Sequence, residues 1–105
     1  MTFETHGFDW DVGNRQKCQK HGVSIPEIEA VFKNDPFVAP DPKHSRAEER
    51  LIAIGTTDAG RNVFVAFTLR AKDGQRRIRP VSARYMHSKE TVSYEQTHDE
   101  EEESA

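Results

Sequence analysis

The sequence predicts an α+β fold: two N-terminal helices and a short C-terminal helix packed on an antiparallel sheet of three to five strands. Two observations carry this. Capped helical patterning is confined to the first third of the chain, and from residue 50 onward the apolar residues alternate with period two between short Asp- and Gly-containing turns. A third is size: 105 residues suit one core. The domain is expected to span residues 7–96, with 1–6 a loose lead-in and 97–105 an acidic, disordered tail.

Gly7-Phe8-Asp9-Trp10-Asp11 is short and alternating, a brief strand with Phe8 and Trp10 on one side. Asp11 is placed to N-cap a helix over Val12–His21, which Gly22 ends because glycine tolerates positive φ. Ser24-Ile25-Pro26-Glu27 is a capping box with proline in the first turn. Ile28, Val31 and Phe32 form the apolar stripe of that second helix, and Asn34-Asp35-Pro36 stops it. Phe37–Pro40 reads as an edge strand and 41–49 as a polar loop. Arg50–Thr57, Asn62–Arg70 and Arg77–Arg84 then read as successive strands, antiparallel because their turns are short. Both parities of the first two are apolar, which predicts cover on both faces. Pro80 removes a ladder donor and predicts an edge position or a bulge. Ser88–Gln96 is expected to form the last helix.

Composition narrows the function classes. Apolar residues make up 34% and charged residues 31%, a thin core for a soluble domain. The longest apolar stretches are far too short for a membrane span, and the opening residues lack a secretory pattern. With Cys18 as its one cysteine, the chain forms no internal disulfide, and a reducing cytoplasm is the expected location. The net charge of −3 hides an asymmetry. Setting aside the five-residue acidic run Asp99–Glu103 leaves 13 acidic against 15 basic residues, a body of +2. Residues 61–89 hold eight basic residues and one acidic, Asp73, for +7 over 29 positions, a block suited to a polyanion.

Ordered blocks then match a known family. Phe8-Asp9-Trp10-Asp11, Asn14-Arg15, Lys20-His21-Gly22-Val23-Ser24 and Glu29-Ala30-Val31-Phe32 resemble the opening of BrnT-type toxins. The likeness continues through Asp41-Pro42-Lys43-His44-Ser45, Glu48-Glu49-Arg50, Ile52-Ala53-Ile54-Gly55, Phe64-Val65, Phe67-Thr68, Ile78-Arg79, Ser82-Ala83-Arg84, Lys89-Glu90 and Tyr94-Glu95. The resemblance implies a RelE-like fold and a metal-independent ribonuclease that arrests translation. It also implies a BrnA-type antitoxin partner, with operator DNA bound only through the toxin–antitoxin complex. Departures stand at Lys17, where relatives commonly carry Asn, at Pro80, and at Ser88, Thr91 and Val92, where a strongly basic last helix is usual.

RNA is cleaved without metal when its own 2′-hydroxyl attacks the adjacent phosphate, which requires proton transfers and stabilisation of charge on the phosphorane. Arginine suits the second task because its planar fork pairs bidentately with phosphate oxygens. Arg84, closing the last strand, and Arg50, opening the first central one, are the leading clamp. On a regular strand Arg79 and Arg84 have opposite parity, so both face RNA only if Pro80 marks a bulge. His21 is the leading acid or base, or else a helix cap; Tyr94 stacks on a base or transfers a proton, or else packs on the sheet. Lys20, Arg79 and Lys89 are RNA-binding candidates.

His44 and Glu49 are read first as solvating their loop, or else as reaching the same cleft. Phe8, Trp10, Phe32, Phe64 and Phe67 are read as core, Cys18 as a small packed side chain, and Ser24 as a cap. No spacing suits a metal site, and no cofactor is expected. The alternative reading is a catalytically weak or inactive homologue that keeps antitoxin binding and operon autoregulation, motivated by the lost basic residues of the last helix and the acidic tail. Direct DNA recognition is the poorest reading, since no helix–turn–helix spacing is present.

Overall fold

A computed structural model describes residues 7–45 and 47–87. The expected lead-in 1–6, last helix and acidic tail, with Lys89 and Tyr94, lie outside the described residues. The remainder is two helices and a four-stranded antiparallel sheet: α1 (Val12–Gln19), α2 (Ile25–Lys33), β1 (Phe37–Pro40), β2 (Leu51–Thr56), β3 (Asn62–Lys72) and β4 (Gln75–Tyr85). The strands follow one another across the sheet in chain order.

Local chemistry sets the helix bounds. The Asp11 side chain accepts from the Asn14 backbone N–H at 3.0 Å, while Asn14 Oδ1 accepts from the Asp11 N–H at 2.7 Å, a reciprocal capping box. The Asn14 amide also donates to the carbonyls of Asp9 and Pro80, both at 2.9 Å, so one buried side chain joins α1, its lead-in and β4. At α2, Ser24 and Glu27 form the expected box. Asn34 caps its end, and Asp35 turns the chain at φ 53°. Helix α1 is shorter than expected, ending at Gln19 with Gly22 at φ 92° beyond it. Asp73 and Gly74, at φ 53° and 75°, form the two-residue turn between β3 and β4, a geometry whose twist suits a hairpin.

The helices cover one face of the sheet. Cys18, Val23, Ile28 and Val31 meet Ala53, Val63, Val65, Phe67, Ile78 and Ala83 in a continuous buried cluster. Burial pushes the Cys18 thiol up to about 11, in keeping with a packed side chain. Gly55 lets α2 approach β2 closely, because a β-carbon there would sit 3.1 Å from Val31 Cγ1 and 3.2 Å from Pro36 Cβ. Phe67 stands edge-on to Phe32 at 5.0 Å, and Phe32 edge-on to Phe8 at 5.7 Å. The lead-in segment joins the free edge of β4 through a single parallel bridge, Phe8 to Ile78, rather than a strand of its own.

The other face differs from expectation. Among the described residues no helix covers it, and Ile52, Ile54, Phe64 and Ala66 remain partly exposed there. Phe64 belongs to this open face and not to the core. The reason is the alternation itself: Val63, Val65 and Phe67 point to the helices, so the residues between them point away.

Pro80 stands in an edge strand beside a bulge. Ala66 pairs with Ser82 and Phe67 with Pro80, which leaves Val81 as the extra residue. Arg79 therefore pairs with Thr68 and Arg84 with Phe64, four residues apart on β3 and on the same face. The bulge gives the two arginines common parity, as the sequence required for both to face one ligand.

Candidate active site

The open face carries a cavity of about 360 Å³, lined by His21, Asp41, His44, Arg50, Ile52, Phe64, Ala66, Ser82, Ala83 and Arg84. Its floor is the exposed row of β2, β3 and β4; its rim is polar. Three of the four proposed catalytic side chains meet here from separate parts of the chain: His21 from the turn after α1, Arg50 from the start of β2 and Arg84 from β4.

Arg84 lies with its guanidinium carbon 4.4 Å from the Phe64 ring centroid, directly across the strand pair. The ring supports the planar cation from below. Nη1 also donates to the Tyr85 carbonyl at 3.4 Å.

Arg50 is placed by the loop before it. The Arg50 N–H donates to Ser45 Oγ at 2.8 Å, Ser45 Oγ donates to the Asp41 carbonyl at 2.8 Å, and the Asp41 N–H donates to the Arg50 carbonyl at 2.9 Å. One hydroxyl thus closes residues 41–50 into a ring of hydrogen bonds at the mouth of the β1–β2 connection. Ser45→Ala is expected to lower unfolding free energy by about 1 kcal/mol, because the Arg50 N–H loses its partner. Urea denaturation checks it; a coincident midpoint would show that the hydroxyl contributes nothing.

His21 is exposed, and the turn that carries it is tied to β4 by a cluster the sequence reading missed. The Tyr85 hydroxyl donates to Glu27 Oε1 at 2.8 Å and lies 3.3 Å from the Gly22 carbonyl, while the Arg61 guanidinium stacks 3.4 Å from the Tyr85 ring centroid. The Ser24 backbone N–H, then the Tyr85 hydroxyl, hold the Glu27 carboxyl below its ordinary value. The bond to Glu27 raises the Tyr85 phenol. An aromatic residue at the core parity where β4 ends was the available signal.

The other candidates are dispersed. Arg79 shares the parity of Arg84 but donates to Asp11 Oδ2 at 2.8 Å and Asp9 Oδ2 at 3.4 Å, and it is not among the cavity residues. The Asn14 backbone N–H, then Arg79, hold the Asp11 carboxyl below its usual range. Lys20 is the exposed C-cap of α1. Glu49 lines a separate, smaller pocket with Glu48, Leu51, Leu69 and Arg76, and Glu48 pairs bidentately with Arg70 at 2.7 and 3.0 Å. His44 follows the second of its two sequence readings: it is a cavity residue, with Nδ1 2.8 Å from Asp41 Oδ2. Among the described residues, no group of three His, Cys, Asp or Glu could hold a metal ion, and no helix is long and apolar enough to cross a membrane.

The family model described as "Ribonuclease toxin, BrnT, of type II toxin-antitoxin system" matches residues 10–90. The chain belongs to the BrnT family. No curated protein matches it. The BrnT match spans both helices, all four strands and every described cavity residue. Membership in a type II toxin–antitoxin system also brings an antitoxin partner.

Proposed function

We propose that this BrnT chain is a metal-independent endoribonuclease on a RelE-like scaffold, comprising residues 7–96, that acts in the cytoplasm and is neutralised by a BrnA-type antitoxin. The observation that supports it is the convergence of His21, Arg50 and Arg84 on one open cavity. Arg50 and Arg84 bracket the scissile phosphate and stabilise the phosphorane. The substrate's 2′-oxygen bonds to phosphorus, the bond to the 5′-oxygen breaks, and the products carry a 2′,3′-cyclic phosphate and a 5′-hydroxyl. His21 is a proton-transfer group in that exchange.

Lys20 and Lys89 add phosphate contacts, and Arg79 joins them where RNA displaces Asp9 or Asp11. Tyr94 stacks on a base or transfers a proton. The antitoxin covers the same open face and brings operator DNA to the complex.

Two measurements test the reading. Expression without antitoxin is expected to arrest growth, and the purified chain is expected to cleave RNA in excess EDTA. Unimpaired growth together with intact RNA at high protein concentration would support the inactive antitoxin-binding module instead.

A further inference from the structure

We propose that His44, oriented by Asp41, is the base that accepts the 2′-hydroxyl proton, and that His21 is the acid on the leaving side. The proposal rests on the ribonuclease reading and assigns its proton transfers.

The geometry carries it in three steps. A carboxylate oxygen only accepts hydrogen bonds, so the 2.8 Å contact between Asp41 Oδ2 and His44 Nδ1 places a proton on Nδ1. In the neutral ring Nε2 is then the nitrogen with a free lone pair, the form a general base requires. Exposure agrees with this division: the Asp41 side chain is 13% exposed and the His44 side chain 60%, so the carboxylate is sheltered behind a ring that a substrate can reach.

The pair is built into the rim. Pro42–His44 is a single 3₁₀ turn, which sets residues 41 and 44 on one side of the backbone, and the His44 N–H donates to the Asp41 carbonyl at 3.2 Å. The Ser45 hydroxyl, on the next residue, holds Arg50 to the same turn. Arg50 and His44 both line the cavity, and the proposal places the phosphate clamped by Arg50 beside His44. His21 lines the same cavity from the separate α1–α2 turn, so the cavity holds two imidazoles supplied by different elements. In-line displacement needs one proton removed at the attacking oxygen and one delivered at the departing oxygen. His44 Nε2 takes the 2′-hydroxyl proton as the 2′-oxygen bonds to phosphorus. The P–O5′ bond then breaks with a proton passing from the His21 imidazolium to the 5′-oxygen. Asp41 touches no reacting atom and is a positioning residue.

The test uses two short RNA substrates, one natural and one with sulfur replacing the bridging 5′-oxygen at the cleavage site, because a thiolate departs without needing a proton. His44→Ala is expected to lower kcat on both substrates by about a hundredfold or more with KM within about threefold, and added imidazole is expected to restore part of the rate. His21→Ala is expected to be slow on the natural substrate and close to wild type on the sulfur one. Asp41→Asn should slow the wild-type chain but have no further effect in a His44→Ala background. His44→Gln, with circular dichroism matching wild type, controls for folding.

His44→Ala activity within threefold of wild type, or its recovery on the sulfur substrate, overturns the base assignment while leaving the ribonuclease reading intact. A His21→Ala chain equally slow on both substrates overturns the acid assignment. A wild-type chain inert on both substrates overturns this proposal and the ribonuclease reading together.

Discussion

Arg84→Ala is expected to lower kcat for RNA cleavage by about a hundred- to a thousandfold, or about 2.7–4 kcal/mol, the usual loss when one preorganised donor to developing negative charge is removed. The side chain is poised for this by its seat on Phe64 in the floor of the cavity, where the ring fixes the guanidinium plane without competing for its N–H groups. Arg84→Lys keeps the charge and loses the fork, and it is expected to recover less than about a tenth of the lost rate. Losing the stacking contact costs about 0.5–1 kcal/mol of stability, so the variant remains folded. Single-turnover kinetics with circular dichroism separates the two effects. A fall of less than tenfold in a folded variant would remove Arg84 from the clamp.

Phe67→Ala is expected to destabilise the chain by about 3–5 kcal/mol, against a total of about 5–15 kcal/mol for a domain of ordinary stability. Phe67 is fully buried, and its loss opens a void at the meeting of β3 and α2 while removing the edge-on contact with Phe32. Phe64→Ala deletes the same ring three positions earlier on β3, from the partly exposed face, and is expected to cost less than half as much. Guanidinium or thermal unfolding of both variants checks the comparison. Equal losses would mean that Phe64 is as deeply packed as Phe67, and that the two faces of the sheet are not unlike.

Much of this fold is legible in local sequence because it is written in local chemistry. Ser24 and Glu27 lie three apart before an apolar stripe, Asp73-Gly74 sits between alternating runs, and Pro80 announces an irregular strand; each signal acts within a few residues. The two-sided cover expected for β2 and β3 came from reading apolar residues on both parities as buried. Ile52, Phe64 and Ala66 instead form the floor of a cavity, a use of apolar surface that periodicity cannot distinguish from core. Arg79 illustrates a second limit. Its parity follows from a one-residue irregularity that Pro80 foreshadows, but its capture by Asp9 and Asp11 joins opposite ends of the described chain, and no local pattern reports that.

His44 was misjudged for a different reason. A polar loop advertises solubility whichever way it folds. The usable signal was Asp41 three positions before a histidine with a proline between them, the spacing that one tight helical turn converts into contact. Tyr85 shows the same difficulty at longer range, since its partners Glu27 and Gly22 come from the first third of the chain.

The unmatched Val81 has a consequence for how the chain can vary in length. Upstream of it, Ile78 and Pro80 face the helices; downstream, Ala83 does, and Arg84 is delivered to the cavity. Because the ladder already skips Val81, deleting it would leave Ser82 opposite Ala66 and Arg84 opposite Phe64; giving it a ladder position instead would rotate everything after it by half a repeat, sending Arg84 toward the core and Ala83 toward the open face. The β3–β4 hairpin tip can gain or lose residues in pairs without disturbing either face, whereas the bulge at position 81 works as a phase setting: one residue left out of the ladder there decides whether β4 turns Arg84 or Ala83 to the open face.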